Sequence, residues 1–247
     1  MKANTMNPIE SSNYYLGRLD KYWKQFGRIF RSSDKILPKY LEAPLILGAA
    51  EGTKKEFGIV LLELPYIGGD KNTLTFTFVS GAIALAYIRT LEKRGLPVDT
   101  IGIILNEVYS DVYTSLPEVA KMFLRWSEFS SFRRNSLKAF AKESQIREYP
   151  ENWVMEYIEG DGKDFDYGCN YTECAIRKFY CRMGAGEYMP YLCATDMTYS
   201  NALRLGLHRS QTLNFGGDYC DFRYKRIGSS TPGLPLEDLP EYQNRST

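Results

Sequence analysis

Histidine is all but missing: His208 is the only one in 247 residues. A metal site built from several histidines of one chain is thereby excluded, and a Ser-His-Asp or Cys-His arrangement has only His208 to draw on. An excess of charge of one sign is missing too. Against 31 basic residues stand 30 acidic ones, a net of +1, so no whole-molecule field draws in nucleic acid or an anionic membrane. No apolar run is long enough to cross a bilayer comfortably; the most apolar, "TLTFTFVSGAIALAYI" from Thr73 to Ile88, also opens on three alternating threonines. The N-terminal "MKANTMNPIESSNYY" has no apolar core followed by a small-residue cleavage site. We therefore expect a soluble, cytoplasmic protein with neither nucleic acid nor membrane as partner.

Paired cysteines are absent as well. The five cysteines are Cys169, Cys174, Cys181, Cys193 and Cys220, separated by 5, 7, 12 and 27 positions, so no Cys-x2-Cys pair exists. Nothing in this spacing asks for zinc, and the expectation is no metal and no cofactor. An odd count without an export signal also argues against a disulfide framework. All five lie in the last third of the chain, which makes that third the first place to look for chemistry.

What is present is ordinary globular material, 44% hydrophobic and 25% charged. Residues 12 to 31 carry Leu16, Leu19, Tyr22, Trp23, Phe26, Ile29 and Phe30 at helical spacing, with Arg18, Lys21, Gln25 and Arg28 on a solvated face. "FGIVLLELPYIGG" reads equally as a buried strand or the end of a helix, broken at Pro65 and Gly68-Gly69-Asp70. "IGGDKNT" lacks the ending of a phosphate loop and is expected to be a loop that touches ligand at most. Helices follow from Phe78 to Lys93, over "VDTIGIILNEVYSDVYTS", and as one long helix from Pro117.

The texture changes at Pro150. "ENWVMEYIEG" and "FDYGCNYTEC" predict a hairpin, the stretch from Glu173 to Gly206 is helical with a break at Gly184-Ala185-Gly186, and "HRSQTLNFGGDYCDFRYKR" predicts a second hairpin. The expected class is α+β: one domain over residues 1–227, helical over about 12–145 and mixed over about 150–227, then an extended tail over 228–247.

Several side chains in that mixed part have the chemistry for a site. Cys193 and Asp196 stand one turn apart on a helix, with His208 and Arg209 opening the hairpin that follows. If the hairpin packs beside that turn, a nucleophile, an acid or base, and an anion clamp converge. The plain alternative is that Cys193 is a small buried hydrophobe. Cys220 faces core or pocket with Phe222, and Cys174 follows Glu173 at a strand-to-helix junction. Asp161 and Asp164 fit turn chemistry, whereas Asp166 alternates away from Phe165 toward a possible pocket.

The segments "FDYGCNYTECAIRKFY", "MPYLCATD" and "LHRSQTLNFGGDYCDFRYK", and more faintly "LPYIGGDKN", resemble the L-2-amino-thiazoline-4-carboxylic acid hydrolase family, most strongly over residues 157 to 226. The resemblance implies hydrolysis of a non-peptide carbon–nitrogen bond in a cyclic isothiourea that bears a carboxylate. Its repeated Glu-Cys, Cys-x-x-Asp and Gly-Gly-x-x-Cys-Asp-Phe patterns correspond to Glu173-Cys174, Cys193 to Asp196 and Gly216 to Phe222. It does not call for histidine at position 208.

On this reading Cys193 is the nucleophile, with Cys220 second, and Asp196 binds the amidinium-like nitrogens. Arg209 binds the substrate carboxylate, while Glu173, Cys174, Asp166 and His208 are further contacts. If water attacks instead, Asp196 or Glu173 is the base and the cysteines are walls. A homo-oligomer is compatible with either route. The C-terminal hairpin is also similar to the small hydrocarbon-binding domain found with vinyl reductases, a sensor that catalyses nothing and needs an apolar cavity.

Overall fold

The structure, a computed structural model, describes residues 8–244. Among the described residues nine α-helices precede the sheet: α1 (Pro8–Leu16), α2 (Leu19–Gln25), α3 (Gly27–Ile36), α4 (Ala43–Ile46), α5 (Ala49–Leu62), α6 (Thr75–Glu92), α7 (Val98–Thr114), α8 (Glu118–Glu128) and α9 (Ser131–Ser144). Strands β1 (Val154–Glu159) and β2 (Tyr167–Glu173) lead to α10 (Ala175–Arg182) and α11 (Met189–Ala202), then β3 (Gly206–His208), β4 (Cys220–Lys225) and α12 (Pro240–Gln243). The four strands form one antiparallel sheet in the order β1-β2-β4-β3. The fold is α+β, helical first and mixed second.

The apolar run that cannot span a bilayer is the central helix. α6 is covered on nearly every side, from Phe78 and Val79 through Ala82–Ile88 to Leu91, and packs against α5, α7 and α10. Such all-round burial is why its sequence shows no polar face. Among the described residues, no helix is long and apolar enough to cross a membrane. "FGIVLLELPYIGG" resolves as the end of α5 followed by a loop.

Two stretches read as single helices are divided. Residues 12 to 31 break at Gly17-Arg18 and again at Phe26; Tyr22, Phe26, Ile29 and Phe30 reach the core as their spacing requires, whereas Leu16, Leu19 and Trp23 are only partly covered and Tyr15 is buried beside them. The long helix from Pro117 breaks at Phe129-Ser130, where the Ser130 hydroxyl accepts the Arg133 amide at 3.1 Å and starts α9 as its N-cap. α8 buries no residue, and Val119, Met122, Phe123 and Trp126 project to solvent.

Alternation gives the sheet an inner face of Met155, Tyr157, Tyr167, Cys169, Tyr171, Cys220, Phe222, Tyr224 and Leu207, which packs on the helices. α9 lies against β1, and α11 lies along α7. The C-terminal segment is not the extended tail the sequence suggests. Residues 236–238 form a 3-10 turn, α12 follows, and Leu239 and Glu241 are buried in a small cluster with Ala194, Met197 and Leu207. Gly233 comes so close to α11 that a Cβ there would lie 2.6 Å from the Ala194 carbonyl oxygen. Leu239 supplies the apolar surface that anchors this segment. Residues 245–247 of the expected tail lie outside the described residues.

Candidate functional site

α11 presents Cys193 and Asp196 on one face, as their spacing requires. Beside them the chain leaves β3, and strand alternation turns Leu207 and Arg209 inward and His208 out to solvent. Arg209 is fully buried. Its Nη1 donates to Asp196 Oδ2 at 2.9 Å, and its Nη2 donates to the Cys193 carbonyl at 3.2 Å and to Glu241 Oε1 of α12 at 2.5 Å. The guanidinium also lies over the Phe222 ring, 5.0 Å from its centroid. Two carboxylates thus face one guanidinium, leaving a surplus negative charge when both are ionised.

The loop from Ser210 to Tyr219 closes over the thiols. Its shape is held by Asp221, whose carboxylate accepts the amides of Ser210 at 2.8 Å and Gln211 at 2.9 Å and the Ser210 hydroxyl at 2.6 Å. From this loop the Leu213 amide donates to Cys220 Sγ at 3.3 Å, and Asn214 Nδ2 donates to Cys193 Sγ at 3.5 Å. Cys174 caps α10, its sulfur accepting the Arg177 amide at 3.5 Å. Cys174, Cys193 and Cys220 are electrostatic neighbours of one another and of Asp196.

Burial dominates the titration here. It pushes the Cys220 thiol up to about 12 and the Cys193 thiol well above its ordinary value, the latter against the opposing pull of Arg209. Cys174 is raised for the same reason, although the Arg177 and Ile176 amides work against it. Asp196 is pushed up to about 6 by burial, which outweighs the pull of Arg209, with the charge of Glu241 adding to the rise. Yet 46% of the Asp196 side chain remains accessible, and Cys193, Tyr171 and Tyr224 are likewise deep but not covered. Side chains that are both deep and uncovered line a hollow, because a packed core leaves them no free surface. Tyr113 and Tyr199, stacked edge to face at 5.0 Å, continue its wall from α7 and α11. Tyr171 meets Phe222 at 5.4 Å, and Tyr224 stacks on Tyr167 at 5.0 Å.

The remaining expected contacts lie elsewhere. Asp166 is exposed and spends its carboxylate on the Arg226 amide at 2.7 Å, an anchor at the start of β2 rather than a pocket group. His208 is removed from the cluster by the alternation that buries Arg209. Glu173 pairs with Arg147 and Lys178; burial opposes its charge, but these two cations hold its carboxyl below the usual value. Arg147 lines a separate concavity of about 360 Å³ with Gly68, Lys71 and Asn72 of the loop flagged from sequence. There Asn72 Nδ2 is tied to the Ile67 carbonyl at 2.5 Å and to Asn152 Oδ1 at 3.0 Å. Cys169 is buried in the core, and Cys181 is exposed. Among the described residues, no three Cys, His, Asp or Glu side chains are grouped to hold a metal ion.

Sequence reasoning missed Glu241, which sits in the presumed tail 32 positions beyond Arg209 and carries no local signal. The aromatic walls were missed too; only the alternation in "YCDFRY" and "DYGCNY" hinted that Tyr171, Phe222 and Tyr224 share a face with Cys220.

Fold and site together define an α+β protein with a titratable interior hollow between its sheet and its helices. The chain belongs to the L-2-amino-thiazoline-4-carboxylic acid hydrolase family, whose profile matches residues 78–224, more than half of its length. No curated protein and no solved structure matches it. The matched stretch spans Cys174, Cys193, Asp196, Arg209 and Cys220 and ends before Glu241.

Proposed function

We propose that the protein hydrolyses a carbon–nitrogen bond of a small cyclic amidine or isothiourea bearing a carboxylate, with Asp196 as general base. The observation that carries this reading is the accessible Asp196 carboxyl, titrating at about 6 beside a buried guanidinium and facing a ring-lined hollow. A carboxylate there accepts the paired N–H groups of an amidinium and polarises the carbon between them. Asp196 takes a proton from an attacking water, and the oxygen bonds to that carbon. Collapse of the tetrahedral centre breaks the carbon–nitrogen bond, and the proton passes to the departing nitrogen. Water suits the site better than Cys193, because burial holds all three nearby thiols protonated whereas the carboxyl is poised near neutrality. Cys193 and Cys220 then serve as walls. The sensor alternative asks for few titratable groups in the cavity, and the accessible Asp196 carboxyl weighs against it.

The test is turnover of 2-amino-thiazoline-4-carboxylate across pH. A base must be ionised to act, so the rate is expected to fall as pH drops through about 6. Asp196→Asn should lose about 10²-fold or more in kcat together with that acid limb, while Cys193→Ala stays within roughly tenfold of wild type. Full activity in the Asn variant removes Asp196 as base; an inert Cys193→Ala beside an active Asp196→Asn restores the thiol route.

A further inference from the structure

Arg209, the natural choice for a carboxylate clamp, is committed. Asp196, Glu241 and the Cys193 carbonyl occupy its terminal nitrogens, and none of its side chain is accessible. A second guanidinium borders the same hollow in the opposite condition. Arg133 stands in the first turn of α9, placed by the Ser130 cap. Its Nε faces Glu128 Oε2 at 3.4 Å, and Glu128 is held in turn by the Tyr199 hydroxyl at 3.1 Å. Among the described residues its two terminal nitrogens have no hydrogen-bond partner, and 33% of the side chain is accessible. Burial works against its charge, offset by Glu128 and by the phenols Tyr167, Tyr171 and Tyr224 of the inner sheet face.

The inner sheet face that carries Tyr171 and Tyr224 packs toward both Arg133 and Asp196. Tyr199 makes the same link from the helix side: it stands one turn after Asp196 on α11, and its hydroxyl donates to Glu128, the partner of Arg133. A carboxylate and a guanidinium with a free fork are thus joined through the Tyr199 ring and Glu128. Glu128 engages the Nε edge and leaves the paired terminal nitrogens, whose geometry matches a carboxylate.

We propose that Arg133 binds the carboxylate of a small zwitterion whose amidinium or ammonium end lies on Asp196. The assignment rests on the reading of this hollow as the substrate site. It makes Arg133, not Arg209, the residue that selects carboxylated ligands, and gives Glu128 and Tyr199 the task of holding it in place.

Calorimetric binding of two compounds to the full chain tests this: 2-amino-thiazoline-4-carboxylate and 2-amino-thiazoline, the same ring without its carboxylate. Wild type is expected to prefer the first. Arg133→Gln should weaken it about 10- to 100-fold, the range for a hydrogen bond between charged groups, and leave the second within roughly twofold; Arg133→Lys should restore only part of the loss. A wild type that binds both compounds alike, or an Arg133→Gln variant that loses both alike or neither, overturns the role of Arg133 alone. A wild type that binds neither compound overturns the substrate reading and this assignment with it.

Discussion

Cys193 and Asp196 share one turn of α11, and the same burial gives them different uses: it keeps the thiol protonated and brings the carboxyl into the working range of a base. Thiol labelling reads the difference directly. With a small alkylating agent at pH 7, Cys181 should react first, being exposed. Cys174, Cys193 and Cys220 should lag behind it, and Cys169, buried and pushed up to about 12 by burial, should be among the slowest. Mass spectrometry of the time course gives the order, and a Cys193 faster than Cys181 would return the thiolate to the mechanism. The Cys-x-x-Asp spacing was legible in the sequence. The protonation states were not, because they depend on how many atoms the fold packs around each group.

At the scale of elements, the site depends on how α11 is seated against α7. Gly102 of α7 faces the Tyr191 ring so closely that a Cβ would overlap it. The ring has little freedom to yield, since the Tyr191 hydroxyl donates to Asp99 Oδ1 at 2.7 Å and its carbonyl accepts Asn106 Nδ2 at 2.9 Å. Gly102→Ala should therefore destabilise the protein by about 1–3 kcal/mol, as overpacking does, in spite of alanine's better helix propensity. The midpoint of urea unfolding measures it, and an unchanged or raised midpoint would mean that the helices can part without cost. Most elements could be read from periodicity. The exceptions have physical causes: across Phe26 the apolar spacing continues although the helix does not, and at Ser130 a side-chain cap restarts the helix inside a pattern that looks continuous.

Across the whole molecule, the C-terminal segment closes what the sheet and α11 begin. Glu241 and Arg209 are both fully covered, and removing one partner of a buried ion pair strands the other. Glu241→Ala should cost about 3–5 kcal/mol in denaturant unfolding. Glu241→Gln, which keeps an acceptor for Arg209, should cost less. Equal, small losses in both would show that Asp196 alone suffices to hold the guanidinium.

Readable from the chain alone are the central helix, the first hairpin and the turn that pairs Cys193 with Asp196. Each of these follows from a local period of 3.6 or 2 residues. The second hairpin is expected across Gly216-Gly217, whereas β4 pairs with Gly206–His208 across a long loop, and His208 is expected beside Arg209 in the site but points out to solvent. Tertiary packing alone settles that Arg209 is already occupied, that Glu241 belongs to its cluster, and that Arg133, held by Glu128 at Nε, keeps its terminal nitrogens free. Those outcomes depend on charges brought together from distant parts of the chain, and no local period records which of them will meet.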